Sequence, residues 1–423
     1  MKKITLTLAF IAATVIAQAQ TLEECQQAAE QNYPIVRKYQ LIEKSTDYTL
    51  SNIGKGWLPQ ISATAQATVQ SDVVTLPEGM TTMLSQTGMN VKGLKKDQYR
   101  VGIDISQTIY EGGAIASQKE VARLQGEVEK TQNDVDIYNL RKRVNELYFG
   151  LLLIEQRMKM NEELQNVLNS SEKKLESMFR NGTAAESDYI TVKAERMTAE
   201  QQMVELKAQD EAFRAMLAHI CGIEINDLKM PDNNVDIGKD NMRPELRLFN
   251  TRLQLADAQE KALDAALMPR LSFFASGYYG YPGYDMYHDM FSHEWSLNGM
   301  MGLRLTWNIG ALYTRKRDKA KISTMRLINE NGRDMFLFNT RIDNLQHVAN
   351  MKRYHDLMES DWDIIKLRTK VRKAAESKLD HGIIDVNDLI REIYNENNAK
   401  ISMEMHRVEF LKQTYDFKFT NNN

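Results

Sequence analysis

Ile61-Ser-Ala-Thr-Ala-Gln-Ala-Thr-Val69 carries an apolar residue at every odd position and serine, threonine or glutamine at every even one. Side chains alternate sides along a strand, so this pattern predicts a β-strand with one apolar and one wet face. Three further stretches follow it. Tyr99, Val101, Ile103, Ile105 and Ile109 oppose Arg100, Asp104, Ser106 and Thr108, with Gln107 as the one break. Leu271, Phe273, Ala275, Tyr279 and Tyr281 form a third set, with Phe274 and Tyr278 intruding on its polar side. Leu297, Met301, Leu303, Leu305, Trp307 and Ile309 oppose Asn298, Arg304, Thr306 and Asn308. Each strand has the length that crosses a bilayer obliquely in a β-barrel, although a half-buried soluble sheet shows the same alternation. Four strands cannot close a barrel that holds a channel, and an open edge does not persist in lipid. Several chains must then share one barrel. Two would give eight strands filled by side chains, and three would give twelve strands and a pore.

The rest of the chain reads as helix. Its seven prolines, at 34, 59, 77, 231, 244, 269 and 282, leave 78–230 and 283–423 free of any obligatory helix breaker. Ile137, Leu140, Val144, Leu147, Leu151, Ile154 and Met158 keep a three-four spacing, the mark of a coiled-coil seam. A helix is expected from Tyr110 to Phe179, roughly 105 Å long. Gly182 should end it, and Ser187 and Asp188 are suited to cap a returning helix that reaches about Ile220. Gly382, Asn387 and Asp388 repeat these signals, although Asn344, His347 and Lys352 interrupt the second seam. One first helix is expected over Leu22–Lys55.

These segments recur. Pro34 precedes Pro59 by the same interval as Pro244 precedes Pro269, and Gly102 precedes Gly182 as Gly302 precedes Gly382. Such coincidences argue an internal duplication of roughly 200 residues. The expected division is a signal peptide over 1–19, a first repeat over 20–222, a linker over 223–242 and a second repeat over 243–423. Lys2 and Lys3, the apolar run Ile4–Ile16 and Ala17-Gln-Ala19 carry the signal-peptide pattern. Gln20 rather than cysteine follows the cut, which argues against a lipid anchor there. The linker, with Pro231, Asn233, Asn234 and Gly238, reads as irregular. After export, Cys25 and Cys221 sit in an oxidising compartment, as a disulfide or as two small buried residues. The fold class is therefore mainly α with membrane β. Long antiparallel hairpins build a helical tube, and four strands per chain enter a barrel shared between copies.

This plan resembles the TolC-like outer-membrane efflux channels over nearly the whole mature chain. The resemblance rests on Leu58-Pro-Gln-Ile-Ser62 and Met268-Pro-Arg-Leu-Ser272, and on Gln107-Thr-Ile-Tyr-Glu-Gly-Gly113. It rests also on the turns Phe179-Arg-Asn-Gly-Thr-Ala-Ala-Glu-Ser-Asp188 and Leu379-Asp-His-Gly-Ile-Ile-Asp-Val-Asn-Asp388. It implies a homotrimer in outer-membrane lipid, with a shared twelve-stranded β-barrel and an α-helical tunnel in the periplasm. It also implies passive conduction, with a periplasmic adaptor (membrane fusion) protein docking at the tips and an inner-membrane transporter supplying energy. The tips would be Asn181, Gly182 and Thr183 together with His381, Gly382 and Ile383. Asp188, Asp385, Asp388 and Arg391 are the candidates for the periplasmic aperture, Asp388 either in an acidic ring or as a helix cap. Leu379 and Ile384 stand where the best-known member has a tyrosine and an arginine that hold the entrance shut, and Arg391 stands where a second acidic ring would be.

The exclusions are broad. Of 423 residues, 43 % are apolar and 26 % charged, and the net charge of −3 offers no basic surplus for nucleic acid. No zinc-hydrolase, serine-elbow or phosphate-loop motif is present, so no enzyme, cofactor or resident metal is expected. His288, Asp289, His293 and Glu294 share one loop, as a surface metal site or a polar loop tip. The 23 methionines are of the type that fills coiled-coil gaps. The exit duct of a type I protein secretion system and a soluble periplasmic coiled-coil adaptor are the alternative functions.

Overall fold

The computed structural model describes residues 19–89, 91, 93–232 and 241–422. The expected signal peptide, up to Gln18, and the central part of the expected linker, 233–240, lie outside them. The described chain runs α1 (Leu22–Asn32), α2 (Ile35–Gly54), β1 (Gln60–Val69), α3 (Glu78–Gln86), β2 (Asp97–Tyr110), α4 (Ala114–Arg180) and α5 (Glu186–Cys221). It continues as α6 (Pro244–Ala266), β3 (Arg270–Tyr281), α7 (Met286–Ser292), β4 (Ser296–Thr306), α8 (Leu312–Asp380) and α9 (Val386–Asn421). Strand, loop, strand, very long helix, turn and returning helix thus occur twice, as the sequence predicts.

Several boundaries differ from expectation, each for a local reason. The single first helix divides, because Pro34 offers no N–H and holds Tyr33 in extended backbone. The first long helix begins at Ala114 rather than Tyr110. Gly112 and Gly113 both have positive φ, and Glu111 then accepts the Ile115 N–H at 2.6 Å. β4 stops at Thr306, because Ile309–Ala311 is already a 3-10 turn. The polar loops after β1 and β3 each hold a short helix, α3 and α7. The described part of the linker is not loose. Gln20 and Leu228 form a parallel bridge, with the Lys229 N–H donating to the Gln20 carbonyl at 2.9 Å.

Contacts divide the chain into two compact units, each drawing on both sequence repeats. The first comprises residues up to Gln40, Thr131–Leu248 and Gly332–Asn423. It holds two apolar cores. Leu22, Val144, Tyr148, Leu151 and Leu217 centre one, and Leu168, Leu175, Val192, Val386 and Ile393 centre the other.

The second unit comprises Leu41–Lys130 and Phe249–Asn331. It contains one antiparallel sheet in the order β1-β2-β3-β4. Among the described residues neither β1 nor β4 has a second neighbour strand. Gly102 lies opposite Tyr278, where an added Cβ would come within 2.7 Å of the tyrosine Cβ, so the strands need glycine there.

Candidate functional site

The two hairpin turns of the first unit are built alike. Gly182 (φ +72°) and Gly382 (φ +69°) take the left-handed conformation that lets a helix stop without a Cβ clash. After α4, Gly182 N–H donates to the Phe179 carbonyl at 2.9 Å and Thr183 N–H to that of Met178 at 2.8 Å. After α8, Gly382 N–H donates to Leu379 and Ile383 N–H to Lys378, both at 2.9 Å. This paired closure satisfies carbonyls the helix leaves open. Asn181, Thr183, His381 and Ile383 stand exposed beside the glycines.

The caps fall earlier than expected. Helix α5 begins after Ala185, whose N–H donates to Asp188 at 3.2 Å, so Asp188 lies inside the first turn and Ser187 is not the cap. At α9 the cap is Asp385, whose carboxylate accepts the Asp388 N–H at 2.9 Å, and neither Asn387 nor Asp388 fills that position. Asp388 instead pairs with Arg391 at 2.6 Å. The turns thus bring Asp385, Asp388 and Arg391 together on one helix end.

Behind the turns, ion pairs cross each hairpin at matching positions with the charges exchanged. Glu172 of α4 pairs with Arg196 of α5 at 2.6 Å. Two hundred residues on, Arg372 of α8 pairs with Glu396 of α9. Sequence reading missed this; only the repeat offset, applied to charged positions, carries its signal. Burial alone would raise the Glu396 carboxyl, but Arg372, Thr369 and Lys400 together hold it below the usual carboxylate range. Between the hairpins, Tyr394 donates to Glu195 at 2.8 Å, Lys400 pairs with Glu163 at 3.0 Å and Lys174 pairs with Asp380. Burial pushes the Tyr394 hydroxyl up, so it stays a donor. Near the turns lies a cleft of about 300 Å³, lined by Lys174, Leu175, Met178, Arg372, Leu379 and Leu389.

In the second unit one sheet face is apolar and bare. Val69, Leu297, Met301 and Leu305 are each at least 70 % exposed. The other face is polar and cross-linked, with Arg100 on Gln66 and with Asp104 accepting from Ser276 at 2.6 Å and Thr64 at 3.3 Å. Phe274 fits on this polar face because Arg304 lies over its ring, 4.6 Å from the centroid. In the loop after β3, Asp289 is buried and accepts the Gly283 N–H at 2.5 Å, so it pins the loop rather than facing a cation. Among the described residues no three His, Cys, Asp or Glu side chains gather as a metal site, and no helix is long and apolar enough to cross a membrane. Cys25 and Cys221 are buried side by side as free thiols.

The fold is that of outer-membrane channels. The chain superposes on the outer-membrane channel OprN with a TM-score of 0.70 at 15 % identity, over 94 % of this chain and 89 % of that one. VceC from Vibrio cholerae gives 0.69 at 13 %, over 95 % and 96 %. The Campylobacter jejuni CmeC outer-membrane channel gives 0.67 at 13 %, over 94 % and 85 %. Residues 25–222 match the model of the outer membrane efflux protein family. The resemblance to TolC-like efflux proteins therefore holds, with the family's sequence pattern in the first half and its fold along the whole described chain. No curated protein matches by sequence.

Proposed function

We propose that this protein is the outer-membrane exit duct of a tripartite efflux pump, three copies sharing one barrel. The observation that carries the reading is the four-stranded sheet with two open edges and one bare apolar face. Such a sheet has no stable place in water or in lipid until its edges are paired. Joining β4 of one copy to β1 of the next closes twelve strands around a polar interior, wide enough for a pore. The apolar face then meets outer-membrane lipid, and the helical part forms the periplasmic tunnel.

In this reading the conduit is passive. An inner-membrane transporter supplies the energy, and a periplasmic adaptor docks where Asn181, Gly182, Thr183, His381, Gly382 and Ile383 are exposed beside the cleft. Asp188, Asp385, Asp388 and Arg391 line the periplasmic aperture. Three Asp388–Arg391 pairs around an axis would present little net charge, so the aperture's selectivity would come from Asp188 and Asp385.

The test is the native mass of protein extracted from outer membranes, corrected for bound detergent. Three chain masses support the duct. A monomer, or a protein recovered without detergent, overturns it.

A further inference from the structure

Two cysteines serve the whole chain, at positions 25 and 221. They lie nearly two hundred residues apart in sequence, yet the fold sets them together in one core. Cys25 is fully buried and Cys221 is 2 % exposed, among Leu22, Ala29, Leu217 and Ile220. The Cys221 Sγ lies 3.3 Å from the Cys25 carbonyl oxygen. The neighbouring Cys221 thiol, together with burial, raises the Cys25 thiol. Among the described residues no third ligand completes a metal site with them. Helix α1 has only 11 residues and is cut from α2 at Tyr33-Pro34, so it depends on what holds it to the core.

We propose that in the exported protein Cys25 and Cys221 are joined by a disulfide that fastens α1 to the end of α5. The two thiols give up two protons and two electrons as one S–S bond forms. The electrons pass to a protein disulfide oxidant of the exporting compartment, whose own S–S bond is reduced to two thiols. One cysteine thiolate attacks that oxidant first, and the other then displaces it from the mixed disulfide. The exchange takes place before α1 docks, because the docked pair is closed to solvent.

The inference rests on export to the outer membrane, and the experiment separates the two. Cells are quenched in acid, the outer-membrane fraction is denatured, and free thiols are alkylated with and without prior reduction. The expected result is no alkylation before reduction and two labels after it. The same chain without residues 1–19, kept in the reducing cytosol, should take two labels directly. Reduction should also lower the unfolding midpoint of the helices by roughly 5 °C. That shift should vanish in the C25S/C221S double variant. Free thiols in protein recovered from the outer-membrane fraction overturn the disulfide. So do reductant-sensitive dimers on a non-reducing gel. Protein missing from that fraction overturns the export reading instead.

Discussion

The hairpins α4–α5 and α8–α9 match closely in length, turn geometry and ion-pair position, but their long helices α4 and α8 differ in how much apolar surface they bury. Along α4 the fully buried side chains are mostly apolar, Val144, Tyr148, Leu151 and Leu168 among them. Along α8, away from the turn where Ala375 joins the apolar core, several contacts with α9 are polar. Asn344 bonds Asn421 at 2.9 Å, His347 bonds Gln413 at 2.9 Å and Asp361 bonds His406 at 2.9 Å. Many apolar residues of α8 point elsewhere, with Leu345 66 % and Trp362 70 % exposed. An apolar stripe at helical spacing that its own chain leaves uncovered needs a partner surface. Helix α4 is covered within the chain, whereas α8 leaves an apolar stripe that, in the proposed trimer, a neighbouring copy would cover.

The largest effect expected from this contrast is in the first core. Leu151→Ala should lower unfolding stability by ~2–5 kcal/mol, read by thermal denaturation. Leu345→Ala on α8 should leave the chain within ~0.5 kcal/mol and lower the trimer fraction on size exclusion instead. Equal losses at both sites would erase the distinction between the hairpins.

Next come the exchanged ion pairs. Glu396→Gln removes one of the two carboxylates on Arg372, with Glu376 remaining, and should cost ~2 kcal/mol, whereas Glu172→Gln, at a more open site, should cost less. Swapping both charges, as R372E/E396R, should recover only part of the loss, because the new residues would face Glu376 and Lys400 at one turn's distance, where Arg196 of the first hairpin has Glu200. The pH dependence has a definite sign. A carboxyl held below its unfolded value stabilises the fold above about pH 4 and loses that contribution as pH falls further. The α8–α9 hairpin should therefore gain hydrogen exchange in acid, and this acid sensitivity should disappear in Glu396→Gln.

The smallest effects lie at the caps. Asp385→Ala should cost ~1 kcal/mol, and Ala185→Asp should stabilise α5 by a similar amount, since that helix has no side-chain cap. A loss on introducing aspartate at 185 would show that the two turns differ more than their backbones do.

The strands were legible because period-two alternation is a local signal that burial on one face writes into every second residue. The long helices and both turn glycines were legible for the same reason: spacing and a required positive φ act within a few residues. The split at Pro34 was also local, and the proline itself carried it. The caps were misplaced because the chain leaves Gly182 and Gly382 through extended residues, and where these hand over to the helix depends on the closure of the turn. The exchanged ion pairs and the polar α8 seam were harder to see. Asn344, His347 and Asp361 look like interruptions of a core until α9 supplies their partners.

Sequence by itself determined the elements, their order and their repetition, because each follows from hydrophobic period, glycine and proline acting over short range. Tertiary structure alone decided which long helix spends its apolar stripe within the chain, which strands are left as edges and that Cys25 meets Cys221. Those outcomes depend on which faces meet across nearly two hundred residues, and no local pattern records that.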